Sequence, residues 1–154
     1  MRRLTPELTA TLDAVAAAAS DLRDPWWVFG SAAMALAGLP DLAPPDVDLL
    51  VSERDARCLT DLWGAEVETS PGTGLFRSRI FAKARIAPLP IEIMAGFEVM
   101  AAGAWTAVRP SSRLAVAHGA GTIFIPSAAE QAQICRLFGR PKDLARVAAL
   151  EALT

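Results

Sequence analysis

The chain has 154 residues, 53% of them hydrophobic, which suits one compact unit with a real core and leaves little room for a second domain. Charged residues make up 21% and the formal net charge is -2, which excludes a generally basic nucleic-acid binder, so any polyanion has to meet a local patch. No apolar run reaches the ~20 residues needed to span a bilayer. Met1-Arg2-Arg3 is followed by polar Thr5, Glu7, Thr9 and Asp13 where a signal peptide would be apolar, so the expected compartment is the cytoplasm. Cys58 and Cys135 have neither CxxC spacing nor a partner His, and read as buried free thiols in helices.

Thr5-Pro6-Glu7 combines an N-cap, a proline at the first helical position and an early carboxylate, and predicts an alanine-rich helix to about Leu22. Trp26 to Phe29 reads as a short buried strand ending at Gly30-Ser31. Ala32 to Leu36 are good helix formers, and Gly38 to Pro45 is a loop rich in breakers. Asp46 to Val51 predicts a buried strand with a polar leading end, and Ser52, with Asp55 three residues on, caps a helix to about Trp63. From Phe76 to Ile86 the sequence alternates as one long strand. Phe76, Ser78, Ile80, Ala82, Ala84 and Ile86 share the core face; Arg77, Arg79, Phe81, Lys83 and Arg85 share a largely cationic one.

Pro88-Leu89-Pro90 breaks the pattern before a short strand, Ile91-Glu92-Ile93-Met94. Ala104 to Val108, Leu114 to Ala117 and Thr122 to Ile125 predict further short strands, the last two compatible with a hairpin. Ser127 caps a helix with Glu130 in its first turn, Gly139 ends it, and Pro141 opens a final helix into Leu150. The expected core thus covers about 26–125 and a helical ending about 127–152. His118 reads as a surface turn residue without a nucleophile motif around it, the four tryptophans as core or interface anchors, and Gly72-Thr73-Gly74 lacks the third glycine of a dinucleotide fingerprint.

The chemistry concentrates in Asp46-Val47-Asp48. The period of two puts both carboxylates on one face of a strand, and carboxylates that close repel unless a cation lies between them. Mg2+ suits them, because it takes one or two carboxylates together with water and substrate phosphate. Glu92 completes an acidic set if its strand is a neighbour. Gly30-Ser31 at a strand-to-helix turn offers free N–H groups, a hydroxyl and no Cβ to obstruct a phosphate. The plainer alternatives are a solvated strand start for Asp46 and Asp48, an edge residue facing water for Glu92, and a wet antiparallel face for Arg77, Arg79, Lys83 and Arg85.

Phe29-Gly30-Ser31, a short helix, Asp46-Val47-Asp48-Leu49-Leu50-Val51 and the later Ile91-Glu92-Ile93 together resemble the nucleotidyltransferase superfamily that includes DNA polymerase β. Ile125-Pro126-Ser127, Arg136-Leu137 and Gly139-Arg140-Pro141-Lys142-Asp143-Leu144 are similar to the helical ending of its stand-alone bacterial, AbiEii-like branch. That branch often has lysine where Arg136 stands and aspartate where Arg146 stands. The resemblance implies an α/β (α+β) fold with a small mixed sheet flanked by helices. It also implies transfer of a nucleoside monophosphate from an NTP, ATP first, to an acceptor hydroxyl with Mg2+ or Mn2+. Asp46, Asp48 and Glu92 would be the metal and catalytic set, Glu92 alternatively a general base; Gly30, Ser31, Arg77, Arg79 and Lys142 would bind phosphate, with Asp143 holding Lys142. Other readings are a catalytically silent member binding a nucleotide or a partner protein, a homodimer, or a toxin neutralised by an antitoxin-like partner.

Overall fold

The structure is a computed structural model that describes residues 4–69 and 74–154, so Met1 to Arg3 and the Gly72-Thr73 part of the glycine tripeptide lie outside it. The elements in order are α1 (Pro6–Ala18), a single 3-10 turn (Ala19–Asp21), β1 (Trp27–Phe29), α2 (Gly30–Ala37), β2 (Val47–Val51), α3 (Glu53–Trp63) and β3 (Glu66–Val67). They continue with β4 (Phe76–Arg77), β5 (Ile80–Ala84), β6 (Ile91–Ala95), β7 (Glu98–Ala101), β8 (Ala104–Ala107), β9 (Leu114–His118), β10 (Gly121–Ile125), α4 (Ala128–Phe138) and α5 (Pro141–Glu151). The predicted caps form: Thr5, Ser52 and Ser127 accept from the backbone N–H groups of Leu8, Asp55 and Glu130.

A mixed five-stranded sheet in the order β1-β2-β6-β5-β3 organises the molecule, with β2 and β6 parallel and every other pair antiparallel. Side-chain alternation divides its two faces. Val28, Val47, Leu49, Ile91, Ile93, Ala82 and Ala84 point to one face and are buried with Leu8, Leu12 and Val15 of α1 and Leu59 of α3. Trp27, Phe29, Leu50 and Met94 point to the other, where they pack with Val99 of β7 and the half-buried Phe76, Phe81, Phe97 and Phe138. Asp46, Asp48 and Glu92 share the parity of this second face. It is covered by the small sheet β4-β7-β8 and by α4, which leave a cleft above the carboxylates.

The strand expected from Phe76 to Ile86 is two strands in two sheets. β4 pairs with β7 and β5 with β6, and Ser78-Arg79 bridge them. The alternation is real, but it runs through a change of partner that no local pattern records. Ile86, expected on the core face, lies beyond β5 and is exposed. Glu98–Ala101, a strand that composition does not mark, is the element that recruits β4.

His118 also departs from expectation. It ends β9, its side chain is only 9% exposed, and its Nε2 lies 3.1 Å from the Thr9 carbonyl oxygen and 2.8 Å from an Asp13 carboxylate oxygen. The hairpin β9–β10 reaches α1 that closely because Gly121 carries no side chain: a Cβ there would stand 2.9 Å from that of Ala16. Cys135 is buried as expected, whereas Cys58 is half-buried.

The segment before β9 is fastened by Glu130. Its carboxylate accepts the N–H groups of Ser111 and Ser112, each at 2.8 Å, together with both hydroxyls, while Trp27 Nε1 donates to the Ser112 carbonyl at 2.8 Å. Burial pushes the Glu130 carboxyl up, and the bonds from Ser112 and Ser111 outweigh it and hold it below the usual range. A depressed carboxyl stabilises the fold above its unfolded pKa and loses that effect as pH falls through the folded one. Glu130→Ala is expected to cost about 1 kcal/mol after allowance for its exposure, read as a lower urea midpoint at pH 7, with the deficit shrinking toward pH 3. An unchanged midpoint at pH 7 would count against this fastening.

Candidate functional site

The parallel pairing of β2 with β6 places Asp48 directly opposite Glu92, and the flanking strands place Phe29 opposite Asp48 and Lys83 opposite Glu92. Laterally paired residues of a sheet project to the same side, so one row across four strands reads Phe29, Asp48, Glu92, Lys83. Asp46 precedes β2 by one residue and stands two before Asp48, on the same side; the Val47 N–H bonded to the Pro90 carbonyl at 2.9 Å keeps the two strands in step there. One oxygen from each of Asp46, Asp48 and Glu92 lies within 4.8 Å of the others. Lys83 Nζ approaches Glu92 Oε1 at 3.7 Å from the rim.

Gly30 is the first residue of α2, with φ +66, a conformation that L side chains disfavour. A Cβ on it would also stand 2.9 Å from Asp48 Oδ2. Glycine is thus required twice, for the turn and for the approach of the helix N-terminus to the carboxylate. Gly30 and Ser31 line the cleft with the first, unsatisfied N–H groups of α2 nearby.

The cleft has a volume of about 650 Å³. The carboxylates and Gly30-Ser31 line it together, Gly30 lying against Asp48. Phe29, Phe76, Phe97 and Phe138, in mutual ring contact at centroid distances of 4.8–6.1 Å, form an apolar wall. Lys142 of α5 lines the cleft, and its charge acts on both Asp46 and Asp48.

The sequence matches no protein-family model and no curated protein. Among solved structures, a candidate nucleotidyltransferase from Thermotoga maritima superposes with a TM-score of 0.75 at 22% identity, over 99% of this chain and 93% of its own. The lincosamide antibiotic adenylyltransferase LnuA, solved with lincomycin, gives 0.56 at 13% identity over 98% and 99%. ANT(2″)-Ia, solved with adenylyl-2″-tobramycin, gives 0.55 at 14% identity over 97% and 91%.

The chain has the nucleotidyltransferase fold. Within it, the predicted site residues separate into those that converge and those that do not. Asp46, Asp48, Glu92, Gly30, Ser31, Arg77 and Lys142 all line the cleft. Arg79 does not: it is exposed, lies 3.6 Å from Glu53, and lines a second groove with Gly96. Arg77 donates to Glu98 Oε1 at 2.7 Å and covers the Trp105 ring at 4.3 Å, so its charge is already answered. Arg85 is exposed.

Asp143 was expected to hold Lys142. Instead it is buried and takes both bonds from Arg140, at 2.6 and 3.0 Å, while Arg140 lies over the rings of Phe76 and Phe138. Consecutive residues on a helix diverge by about 100°, so Asp143 and Lys142 face different ways. The nucleotidyltransferase fold also brings in cleft residues for which the sequence pattern indicated no site role, among them Arg140, Arg146, Gln131 and the phenylalanines. Their convergence depends on contacts between distant segments, for which periodicity carries no signal.

The electrostatics of the acidic set bear on what it fits. Burial pushes the Asp46 carboxyl up, with the Glu92 charge adding to it and Lys83 and Lys142 opposing it. The Asp48 carboxyl is pushed further, by burial first and then by the charges of Asp46 and Glu92. Asp48 Oδ1 is shut off from solvent and has no hydrogen-bond partner. A buried, unpartnered carboxylate oxygen beside two like charges is costly by itself and suited to a small hard cation. The all-oxygen donor set fits Mg2+ or Mn2+ and not a thiophilic metal.

Proposed function

We propose that the protein is a metal-dependent nucleotidyltransferase that moves a nucleoside monophosphate from an NTP to an acceptor hydroxyl, with pyrophosphate leaving. The observation that carries this reading is the pairing of Asp48 with Glu92 across parallel strands, beside Asp46 and under the Gly30-Ser31 turn. The adenylyl activity named for LnuA, and the adenylyl product held by ANT(2″)-Ia, support ATP as the donor.

In this reading Asp46, Asp48 and Glu92 hold the cation, which when bound neutralises phosphate charge and lowers the pKa of the attacking hydroxyl. Gly30 lets the N–H groups of α2 approach the donor phosphates, and Ser31 adds a hydroxyl. Lys142 lines the same cleft as the acidic set and binds phosphate by charge. Arg77 orders the wall through Glu98 and Trp105, and Arg79, facing the other groove, has no part in binding the donor. The phenylalanine wall excludes water from the reacting end, where fixed charges act more strongly. The work is positioning and charge neutralisation, the usual basis of phosphoryl-group transfer.

The test is calorimetric titration of each of the four NTPs with and without Mg2+, against wild type and Asp48→Ala. One NTP is expected to bind with Mg2+ only, and Asp48→Ala is expected to lose that binding. Binding that ignores both the metal and the substitution would leave a nucleotide or partner-binding role in its place.

A further inference from the structure

Phe81 is the apolar member of a face that alternation otherwise fills with Arg77, Arg79, Lys83 and Arg85, and the strand register accounts for it. Trp27 pairs with Leu50, Leu50 with Met94 and Met94 with Phe81. Glu68 extends this row: Glu66 opposes Lys83 and Val67 opposes Ala82, and the Glu68 N–H donates to the Phe81 carbonyl at 2.8 Å. Trp27, Leu50, Met94, Phe81 and Glu68 therefore run beside the row that holds Asp48 and Glu92, two residues further along β2 and β6 and facing the same side. Met94, Phe81 and Glu68 all line the cleft. Phe81 is half-buried and, among the described residues, makes no ring contact with another aromatic side chain. Of the five carboxylates that line the cleft, Asp46, Asp48 and Glu92 form the acidic set and Asp143 takes both bonds from Arg140. Glu68 is exposed and, among the described residues, has no cationic side chain within 4.0 Å.

The Gly30-Ser31 turn follows β1 on one side of Asp48, and Glu92 stands on the other, so a donor with its phosphates on the turn meets its acceptor hydroxyl at Glu92. From Glu92 the sheet offers Met94, then the Phe81 ring, then the Glu68 carboxylate, on the order of 12 Å away by strand and residue spacings. Met94 and Phe81 suit a hydrocarbon body. An aromatic ring beside an unanswered carboxylate suits an ammonium group, attracted by the charge and by the ring quadrupole. Building on the proposed nucleotidyl transfer, we propose that the acceptor is an alcohol with an apolar body and an ammonium group, the body lying on Met94 and Phe81 and the ammonium at Glu68. During transfer its oxygen bonds to the α-phosphorus as the bond from that phosphorus to its bridging oxygen breaks. The electron pair leaves on pyrophosphate, and the hydroxyl proton goes to solvent.

The experiment titrates three probes of one shape into the full chain with Mg2+: 4-(aminomethyl)benzyl alcohol, uncharged 4-methylbenzyl alcohol and anionic 4-(hydroxymethyl)benzoate. Wild type is expected to bind the amine roughly fivefold tighter than the methyl compound, and the benzoate more weakly than either. Glu68→Gln is expected to abolish that preference, and Phe81→Ala to weaken the amine and the methyl compound alike by about fivefold. Failure of the amine to bind, equal wild-type affinity for amine and methyl compound, or a preference that survives Glu68→Gln overturns the inference and leaves nucleotidyl transfer standing. Loss of NTP binding together with the amine in Glu68→Gln assigns Glu68 to the donor and also overturns it. Absence of Mg2+-dependent NTP binding in the wild type overturns both this inference and the reading on which it rests. If Phe81→Ala does not fold, the exposed Glu68 still decides the question through Glu68→Gln.

Discussion

Asp48→Asn is expected to raise the thermal midpoint of the metal-free protein at pH 7 while abolishing its stabilisation by Mg2+. The Asp48 carboxyl lies well above its ordinary value of 3.8 because it is buried beside Asp46 and Glu92. A carboxyl whose folded pKa exceeds its unfolded one contributes stability below the unfolded pKa and loses it as pH rises through the folded pKa. As pH rises toward neutral this carboxyl therefore counts increasingly against folding, and the amide, which does not ionise, removes that effect at nearly constant shape. A gain on the order of 1–2 kcal/mol, roughly 3–6 °C for a chain of this size, is expected without metal. With Mg2+ the order reverses, because only the wild type gains from binding. Thermal melts at pH 5 and pH 7, with and without Mg2+, check both halves; a less stable Asp48→Asn protein in metal-free buffer at pH 7 would contradict the account.

Gly30→Ala should sharply impair ligand binding. The left-handed backbone costs an L residue about 1–2 kcal/mol. The added Cβ then meets Asp48 Oδ2 at 2.9 Å, and that carboxylate is held by its strand. Either α2 withdraws or Asp48 turns, and both move the phosphate turn away from the acidic set. A stability loss of roughly 2–3 kcal/mol and at least about a hundredfold loss of Mg2+-dependent NTP affinity are expected. Gly64→Ala is the control, since Gly64 has φ +59 with nothing within 4 Å of its Cβ position. It should share the strain of about 1 kcal/mol and leave binding intact. Equal binding by wild type and Gly30→Ala would remove this turn from the site.

Among the residues that matter, local chemistry determined what short-range geometry governs. The Ser and Thr caps, the carboxylates on one face at Asp46 and Asp48, and the glycine at the end of β1 follow from side-chain type and a period of two or 3.6. Those signals singled out the acidic residues that the fold brings together, and the mixed sheet flanked by helices was implied by the resemblance that these residues carry. They also marked the alternation of Phe76 to Ile86, because alternation needs only an extended backbone.

Tertiary structure decided everything that depends on which strand lies beside which. Glu92 faces Asp48 because β6 runs parallel to β2 in a register set by Val47 opposite Ile91, forty-four positions apart in the chain. The Phe76 to Ile86 stretch divides because β7 captures its first residues, so Arg77 meets Glu98 while Arg79 turns to Glu53 in another groove. His118 is enclosed because Gly121 admits α1, and Asp143 answers Arg140 because helix rotation carries it away from Lys142. These are long-range pairings, and their energies depend on register, burial and the counter-charge met in space, none of which a neighbouring residue in the sequence encodes.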